Sequence, residues 1–450
     1  MLRYRQSIMV AVFGTIVFLC GISGVLAQEQ TKVSIEGGRW LINGRPTHPD
    51  SASEGLLMNV RMVNSVYEDI GRAGADLLGD FDPQENTRRF IARIGEYAEA
   101  GVAAFTISLQ GGMSGYEGAI NTAFNPDGSL REPYMRRVAQ VIEACDAKGV
   151  VVILSCFYQR QHSHELALSG REAIIRAVEN VGKWISQQRY TNVILEVANE
   201  YSHGGFHRWN DSEWLTSDEG QIELIRRVRA AVPGLLVSTS GMGDGSIPES
   251  IAHESDFILI HFNNTPLDKY AARIAAARQY GKPVVCNEDN KIGEQGAAAV
   301  QASVAHGAGW GYMHVAKNQR VPFEYDGTAD DPAVYSALRE LTRPGGQAVV
   351  QVEAGPSVLI SRPGDGAVFT VGTKIHIEAA VSAGNAQIGE LRFYANDKQI
   401  GRCATAPWRM VWDDVPVGAY DLTAVLFATD GQRLVTSVPV DIEVTRPDGG

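Results

Sequence analysis

Two Asn-Glu pairs in the sequence provide side chains suited to acid–base chemistry. Asn199-Glu200 closes the apolar run NVILEVAN, and Asn287-Glu288 closes the run PVVCN. In glycosidic bond cleavage, one carboxyl group protonates the departing oxygen while a second attacks the sugar or activates water. Glu200 and Glu288 are therefore candidate catalytic residues, although their spacing along the chain fixes neither distance nor role. The alternative is that both are ordinary solvated carboxylates on loops.

These two motifs belong to a longer series of apolar runs between Leu56 and Arg343. Each run is almost continuously apolar, which is typical of parallel strands covered on both faces. The stretches between the runs have the three-four spacing of amphipathic helices, as in Met135, Val138 and Ile142. The eight runs begin near Leu57, Val102, Val150, Asn192, Leu235, Phe257, Pro283 and Gly309.

Eight strand–helix units over roughly 290 residues predict a (β/α)8 barrel, in which reacting groups lie at the C-terminal ends of the strands. A doubly wound open sheet is the alternative, but the Gly-rich phosphate turn that usually follows its first strand is not in the sequence. Ahead of the barrel, Asn43-Gly44 within RWLINGRPT predicts a tight hairpin that covers the barrel floor. We assign hairpin and barrel to residues 28–343.

The pattern changes after the barrel. Residues 344–356 begin with Pro344-Gly345-Gly346 and end with Gly355-Pro356, which predicts a linker. Beyond the linker, short runs of alternating polarity are separated by turn residues at short intervals. They predict a small all-β sandwich over residues 357–446. The predicted fold class is therefore an α/β TIM barrel followed by a β-sandwich.

The first 27 residues have the features of a secretory signal peptide. Arg3 and Arg5 form a basic start, Ile8 to Leu19 are mostly apolar, and Val25-Leu26-Ala27 offers a cleavage site with small residues. We expect cleavage after Ala27, with a secreted or periplasmic product and no stable membrane insertion afterwards. An uncleaved N-terminal anchor is the alternative.

Composition limits the partners of the chain. Its 450 residues contain 40 Lys and Arg against 52 Asp and Glu, a formal net charge of −12. Recognition of nucleic acid requires a surplus of Lys and Arg, so no nucleic-acid partner is expected. Neutral or small partners fit this charge better.

The residues from Glu196 to Glu200 resemble the Glu-x-x-Asn-Glu motif that ends the fourth strand in clan GH-A glycoside hydrolases, which include the cellulase-like family five. The resemblance implies a retaining hydrolase of β-linked glycans without a cofactor or metal. It makes Glu200 the acid/base and Glu288, at the end of the seventh strand, the nucleophile. The sequence departs from the family-five pattern at Tyr201, where Pro is frequent, and at Asp289-Asn290, where an aromatic residue and Gly are frequent.

The same resemblance implies substrate-binding roles for other residues. Asn199 would donate to the sugar 2-hydroxyl, and His261 would orient the nucleophile unless it is a purely structural histidine. Trp310 would stack under the sugar at the cleavage point, with core packing as the alternative. Gln110, at the end of the second run, is a weaker candidate for binding a hydroxyl and is otherwise a polar loop residue.

Two other functions stay open at this point. His203 and His207 are four residues apart and suggest a metal-dependent isomerase or hydrolase, with Glu200, Glu288 and His261 as further ligands. Gly204-Gly205 between the histidines argues against the helix that would align them. A barrel that binds glycans without cleaving them is the third reading.

The C-terminal domain resembles bacterial Ig-like modules. Its aromatic residues would form a face for weak glycan binding, although strand alternation turns at least half of them into the sandwich core. A spacer role is the alternative. The aromatic residues are Phe393, Tyr394, Trp408 and Trp412.

Overall fold

The structure is a computed structural model that describes residues 30–71, 78–111, 119–162, 164–263, 265–348, 356–364, 366–383, 386–437 and 439–446. The predicted signal peptide and most of the predicted linker lie outside these ranges. Among the described helices, none combines the length and the apolar composition that a membrane span requires.

Eight short strands form the barrel, and nearly all of their residues are buried. β4 to β8 and β11 pair in parallel in the order β11-β4-β5-β6-β7-β8, and β9 pairs in parallel with β10. Parallel bridges from Ser240 to Leu259 and from Val285 to Gly309 join these two groups into a closed circle. The barrel is the predicted one, and the doubly wound alternative is wrong. The strands are β4 Asn59–Arg61, β5 Ala104–Ser108, β6 Val151–Phe157, β7 Val193–Ala198, β8 Val237–Ser238, β9 Ile258–His261, β10 Val284–Glu288 and β11 Gly311–Tyr312.

Helices surround the strands and bury the apolar faces that the sequence predicts. Met135, Val138, Ile142 and Cys145 are all at most 4% exposed on one of these helices. Gly101 precedes β5 with φ of 93°, a conformation that favours glycine. The helices are α1 Pro83–Ile91, α2 Ile94–Glu99, α3 Glu132–Asp146, α4 Arg171–Gln188, α5 Ser212–Leu215, α6 Asp218–Ala231, α7 Glu249–Glu254, α8 Tyr270–Arg278, α9 Gly293–Ala305 and α10 Pro332–Thr342.

A hairpin ahead of the barrel closes its floor. β1 (Val33–Glu36) pairs antiparallel with β2 (Arg39–Ile42), which pairs with β3 (Arg45–Pro46). The turn residues Asn43 and Gly44 both have positive φ, as the tight turn requires. Trp40 is fully buried, and its ring meets Phe257 edge-on at 5.2 Å among residues near the starts of the barrel strands.

Replacing Trp40 with Ala tests how much the packing of this hairpin on the barrel floor contributes to the stability of the fold. We expect Trp40→Ala to lower the free energy of unfolding by about 3–5 kcal/mol, because a large ring is lost from a packed interior. Urea unfolding would measure the change. Ile70→Ala is the control, since Ile70 is 46% exposed and its truncation leaves no cavity. If Trp40→Ala lowered the free energy of unfolding by less than about 1 kcal/mol, the packing of Trp40 on the barrel floor would not be important for stability.

The C-terminal domain is a two-sheet sandwich, as predicted. One sheet has the order β12-β14-β17, and the other has the order β13-β20-β18-β15-β16 with β19 on β18. Phe393 is fully buried in the core, while Trp408 and Trp412 are half-buried against it. The strands are β12 Ser357–Arg362, β13 Ala367–Thr370, β14 Ile375–Ser382, β15 Ile388–Ala395, β16 Lys398–Cys403, β17 Arg409–Trp412, β18 Gly418–Ala428, β19 Arg433–Thr436 and β20 Val440–Thr445.

The sandwich lies against the loops at the C-terminal ends of the barrel strands. Among the residues that the structure describes, three ion pairs cross between the domains, each with the arginine on the barrel and the acid on the sandwich. They are Arg160–Asp441, Arg208–Glu443 and, at 3.3 Å, Arg320–Asp421. The mouth of the barrel is therefore bounded by both domains.

Candidate active site

Glu200 lies at the barrel mouth just beyond the end of β7. Its φ is 49°, a left-handed conformation that is costly for a residue with a side chain. The neighbouring strand end holds it there, because the backbone N–H of Glu200 donates to Ser240 Oγ at 2.9 Å. Such strain persists only where the surroundings enforce it, and it is typical of functional sites.

Glu288 ends β10 and is held by two side chains from other strand ends. Arg61 Nε lies 2.8 Å from Glu288 Oε2, and Asn263 Nδ2 donates to Oε1. Arg61 Nη2 also donates to Asn199 Oδ1 at 2.7 Å. Arg61 thus connects the residue before Glu200 with Glu288, and its side chain is only 3% exposed.

Arg61 and Asn263 are site residues that the sequence analysis missed. Arg61 does leave a signal, because it is a lone charge within the buried apolar run LLMNVRMV. A buried charge requires a partner of opposite charge, which predicts an acidic group nearby. Asn263 leaves no comparable signal, since an Asn that follows a strand is common in loops.

His261 lies between the two glutamates. Its Nδ1 is 2.9 Å from Glu200 Oε1 and 3.7 Å from Glu288 Oε2, and the residue is fully buried. Burial alone would lower the pKa of this imidazole, but the carboxylates of Glu288 and Glu200 outweigh burial and raise the pKa above its ordinary value. His261 contacts both carboxyl groups, which favour the charged form of its ring.

The two carboxyl groups lie close together. One oxygen of Glu200, one of Glu288 and a ring nitrogen of His261 are all within 4.8 Å of one another. Both glutamates are only 7% exposed. Two anions at this distance would repel each other, and the adjacent Arg61 guanidinium, together with the imidazole whose pKa is raised, offsets that repulsion.

A cleft of about 140 Å3 opens above the two glutamates. Asn199 and Gln110, both predicted binding residues, lie in its wall. Asn199 Oδ1 accepts a hydrogen bond from Arg61, and the amide nitrogen Nδ2 is the end of this side chain that can donate. Gln110 is engaged at both ends of its amide, since it donates to Thr122 Oγ1 at 3.1 Å and accepts from the N–H of Tyr158 at 3.2 Å. Gln110 therefore shapes the wall through these two contacts.

The prediction that Trp310 stacks under the sugar is wrong for this structure. Trp310 is fully buried, does not line the cleft, and stacks on Tyr312 with ring centroids 5.7 Å apart. The cleft wall beyond β11 is formed by Met313 instead. The alternative reading of Trp310, core packing, is the correct one.

Trp310 supports a buried carboxylate next to Glu288. Its Nε1 donates to Asp289 Oδ2 at 2.8 Å, and the hydroxyl of Tyr270 donates to the same oxygen. Lys291 Nζ lies 3.0 Å from Asp289 Oδ1. Asp289 is fully buried, so these donors satisfy a charge that would otherwise be costly. They anchor the segment that follows Glu288.

The two histidines proposed as metal ligands do not form a site. His203 Nδ1 accepts from the N–H of Gly205 at 2.9 Å and caps the short 3-10 helix Gly204–Arg208, while His207 is exposed on that helix. Within the described ranges, the cluster with metal-ligand geometry is Glu200, His261 and Glu288. The Arg61 guanidinium already brings positive charge to Glu288, which disfavours a divalent ion.

The raised pKa of His261 predicts a pH dependence of stability. A group whose pKa is higher in the folded than in the unfolded state stabilises the fold below its unfolded pKa of 6.5, and this contribution is lost as the pH rises through the folded value. We expect the free energy of unfolding to fall as the pH rises above about 6.5, and to fall more steeply in the unmodified chain than in His261→Gln. Urea titrations at each pH would measure it. Parallel curves would contradict an ion-paired His261.

Comparison with known proteins agrees with the two-domain fold. The family model described as Cellulase (glycosyl hydrolase family 5) matches residues 92–321, and the model described as Bacterial Ig domain matches residues 356–424. No curated protein matches the chain.

Several solved structures are similar to the chain at low identity. An endo-beta-1,4-mannanase from Thermotoga petrophila is 13% identical over 87% of this chain and 98% of its own, with a TM-score of 0.43. A Cellulomonas fimi endo-beta-1,4-mannanase double mutant is 14% identical over 91% of this chain and 100% of its own, with a TM-score of 0.40. Fibronectin(III)-like modules of Clostridium thermocellum CbhA are 33% identical over 20% of this chain and 94% of their own, with a TM-score of 0.19.

Proposed function

We propose, from the premise that the chain belongs to the cellulase family (glycosyl hydrolase family 5), that it cleaves β-glycosidic bonds with retention by using Glu200 and Glu288. The family model spans half of the chain and includes both residues, so the chain is a glycoside hydrolase. The assignment of retention and of the two catalytic residues rests on one observation: one carboxyl oxygen of Glu200 and one of Glu288 lie within 4.8 Å of each other.

That separation favours retention over inversion. A retaining enzyme needs its carboxyl groups roughly 5–5.5 Å apart so that one reaches the anomeric carbon directly, whereas an inverting enzyme leaves roughly 6.5–9.5 Å for a water molecule. With oxygens of Glu200 and Glu288 within 4.8 Å of each other, direct attack is the geometry that fits.

In the first step, a carboxylate oxygen of Glu288 forms a bond to the anomeric carbon while the bond from that carbon to the leaving oxygen breaks. Glu200 gives its proton to the leaving oxygen, so the aglycone departs as an alcohol. His261 contacts Glu200 Oε1, and we assign the transferred proton to Oε2. Arg61 and Asn263 hold the two oxygens of Glu288 in place for the attack.

In the second step, Glu200, now ionised, takes a proton from water while the water oxygen attacks the anomeric carbon. The ester bond to Glu288 breaks, and Glu288 leaves as a carboxylate. Two displacements on the same carbon restore the starting configuration. Asn199, oriented by Arg61, donates to the sugar 2-hydroxyl in both steps.

The substrate we propose is a neutral β-linked oligosaccharide or polysaccharide. The cleft combines hydrogen-bonding groups with the apolar side chains of Val63, Met242 and Met313, which suits the hydroxyls and C–H faces of a sugar. We also propose that the protein is exported through the segment 1–27, because such polymers lie outside the cell.

Single replacement of each glutamate tests the catalytic pair. We expect Glu200→Gln and Glu288→Gln each to lose more than about a hundredfold in rate, because each removes an essential proton donor or nucleophile. Hydrolysis of a panel of β-glycans, with product anomers followed by NMR, would measure rate and stereochemistry together. Glu172→Gln is the control, since its side chain is 90% exposed. Near-normal hydrolysis by either variant, or inverted anomers, would refute the assignment.

Removing metal ions with a chelator distinguishes this mechanism from a metal-dependent one. The metal-dependent alternative stands because Glu200, His261 and Glu288 are close enough together to hold a metal ion. We expect hydrolysis to survive exhaustive treatment with a chelator, because the Arg61 guanidinium supplies positive charge at Glu288. Loss of activity that returns on adding a divalent metal would favour the alternative. Turnover of any glycan would exclude the reading of a non-catalytic glycan-binding barrel.

A further inference from the structure

A groove runs between the barrel mouth and the sandwich. Its volume is about 790 Å3, within the range of roughly 300–1,000 Å3 that is usual for ligand sites. Barrel loops form one wall, and residues of β12, β18 and β19 form the other. Residues of the two walls include Asn290, Ile292 and His314 from the barrel, and Leu434, Thr436 and Ser437 from the sandwich.

This interdomain groove is continuous with the catalytic cleft. Five residues line both spaces, and Pro439 of the sandwich is one of them. Asp441 of the same segment also borders the catalytic cleft. A chain molecule held between Glu200 and Glu288 therefore has a path from the cleft into the groove without crossing a protein wall. The shared residues are Asn263, Asn290, Val315, Arg320 and Pro439.

We propose that the interdomain groove binds the sugar units of the glycan that extend beyond the bond to be cleaved, and that the Ig-like sandwich forms one wall of this site. The inference rests on the proposed function, and it assigns the sandwich a part in substrate binding in place of a spacer role. The occupant is the substrate chain itself, because the groove opens from the cleft that holds the reacting sugar.

The chemistry of the walls suits a neutral sugar chain. Ile292 is 51% exposed, one of few large apolar side chains with such exposure, and Leu434 is half-buried across from it. Aliphatic surfaces of this kind pack on the C–H faces of sugar rings, while Thr436 and the exposed Arg433 offer polar atoms to hydroxyls. Arg433 Nε donates to Thr436 Oγ1 at 2.9 Å, so these two groups are held together.

Contacts on both sides of the groove fix the sandwich wall in place. Arg160 pairs with Asp441, and both side chains are at most 16% exposed. Arg320 pairs with Asp421 at 3.3 Å. Near the start of β12, Gln295 Nε2 on α9 donates to Pro356 O at 2.8 Å. A wall held at three places keeps its distance from the barrel, which a binding site requires.

This site differs from the face suggested by the sequence. Phe393 lies in the sandwich core, and Trp412 packs edge-on against Tyr420 with ring centroids 5.1 Å apart. Neither lines the groove. Glycan binding by the sandwich therefore depends on the aliphatic and polar residues of β12, β18 and β19.

A bulky substitution in the groove tests the proposal. We expect Thr436→Trp to weaken binding of a six-unit glycan at least tenfold and to leave binding of a two-unit glycan within twofold, because the ring fills the groove and not the cleft. The probes are β-1,4-linked glucose and mannose oligosaccharides of two and six units, with affinities from calorimetry and kcat/KM from hydrolysis. Thr370→Trp is the matched control, since Thr370 is exposed on β13 of the same sandwich and lies outside the groove.

Equal affinities for both lengths in Thr436→Trp and the unmodified chain would overturn the proposal, as would failure of the unmodified chain to bind any six-unit probe. If thermal unfolding shows that Thr436→Trp does not fold, Ile292→Asp replaces it. Its position is exposed and precedes α9, where Asp is a favourable cap. We expect at least a threefold loss for the six-unit probe, and unchanged binding would again refute the site. Binding without hydrolysis by the unmodified chain would refute the proposed function alone.

Discussion

Two buried carboxylates within 4.8 Å of each other are the constraint on which the rest of the site depends. Their mutual repulsion and their desolvation would both oppose folding if they stood alone. Arg61 at the end of β4 brings a positive charge to Glu288, and His261 at the end of β9 contacts both carboxyl groups, which raise the pKa of its ring. Each of the four groups comes from a different strand, β4, β7, β9 or β10. Only a closed barrel brings these four strand ends together, which makes the fold a requirement of this arrangement.

The sequence predicted the barrel and the placement of Glu200 and Glu288 at strand ends, because both depend on local patterns. Strands buried on both faces must be apolar throughout, and a polar residue directly after such a run marks a strand end at the mouth. Local patterns do not identify Arg61 as a site residue, because it lies within an apolar run and its partner Glu288 is 227 positions away. That distance is closed only by the circular strand order. The sequence shows the charge of Arg61, whereas the order of the strands in the barrel decides which acidic residue it pairs with.

Trp310 shows why a resemblance can place a residue on the correct strand and still give it the wrong environment. The chain has Asp289 after Glu288, where the family pattern frequently has an aromatic residue. A buried carboxylate at that position requires donors, and Trp310 Nε1, Tyr270 and Lys291 supply them. The indole is thereby held in the interior, and Met313 lines the cleft in its place. The carboxylate next to Glu288 thus accounts for the position of Trp310 on the neighbouring strand.

The charged residues at the contact between the domains are separated by sign, which the net charge of the whole chain does not show. The chain carries a formal charge of −12, yet the three ion pairs across the contact all place Arg on the barrel and an acid on the sandwich. Opposite signs on the two sides attract the sandwich to the barrel mouth, and the individual pairs hold it in the observed orientation. The partners are 281, 235 and 101 positions apart, so no local pattern could reveal them. A sandwich oriented in this way presents Pro439 and Asp441 to the cleft that Glu200 and Glu288 line, and the shape of the cleft then depends on both domains.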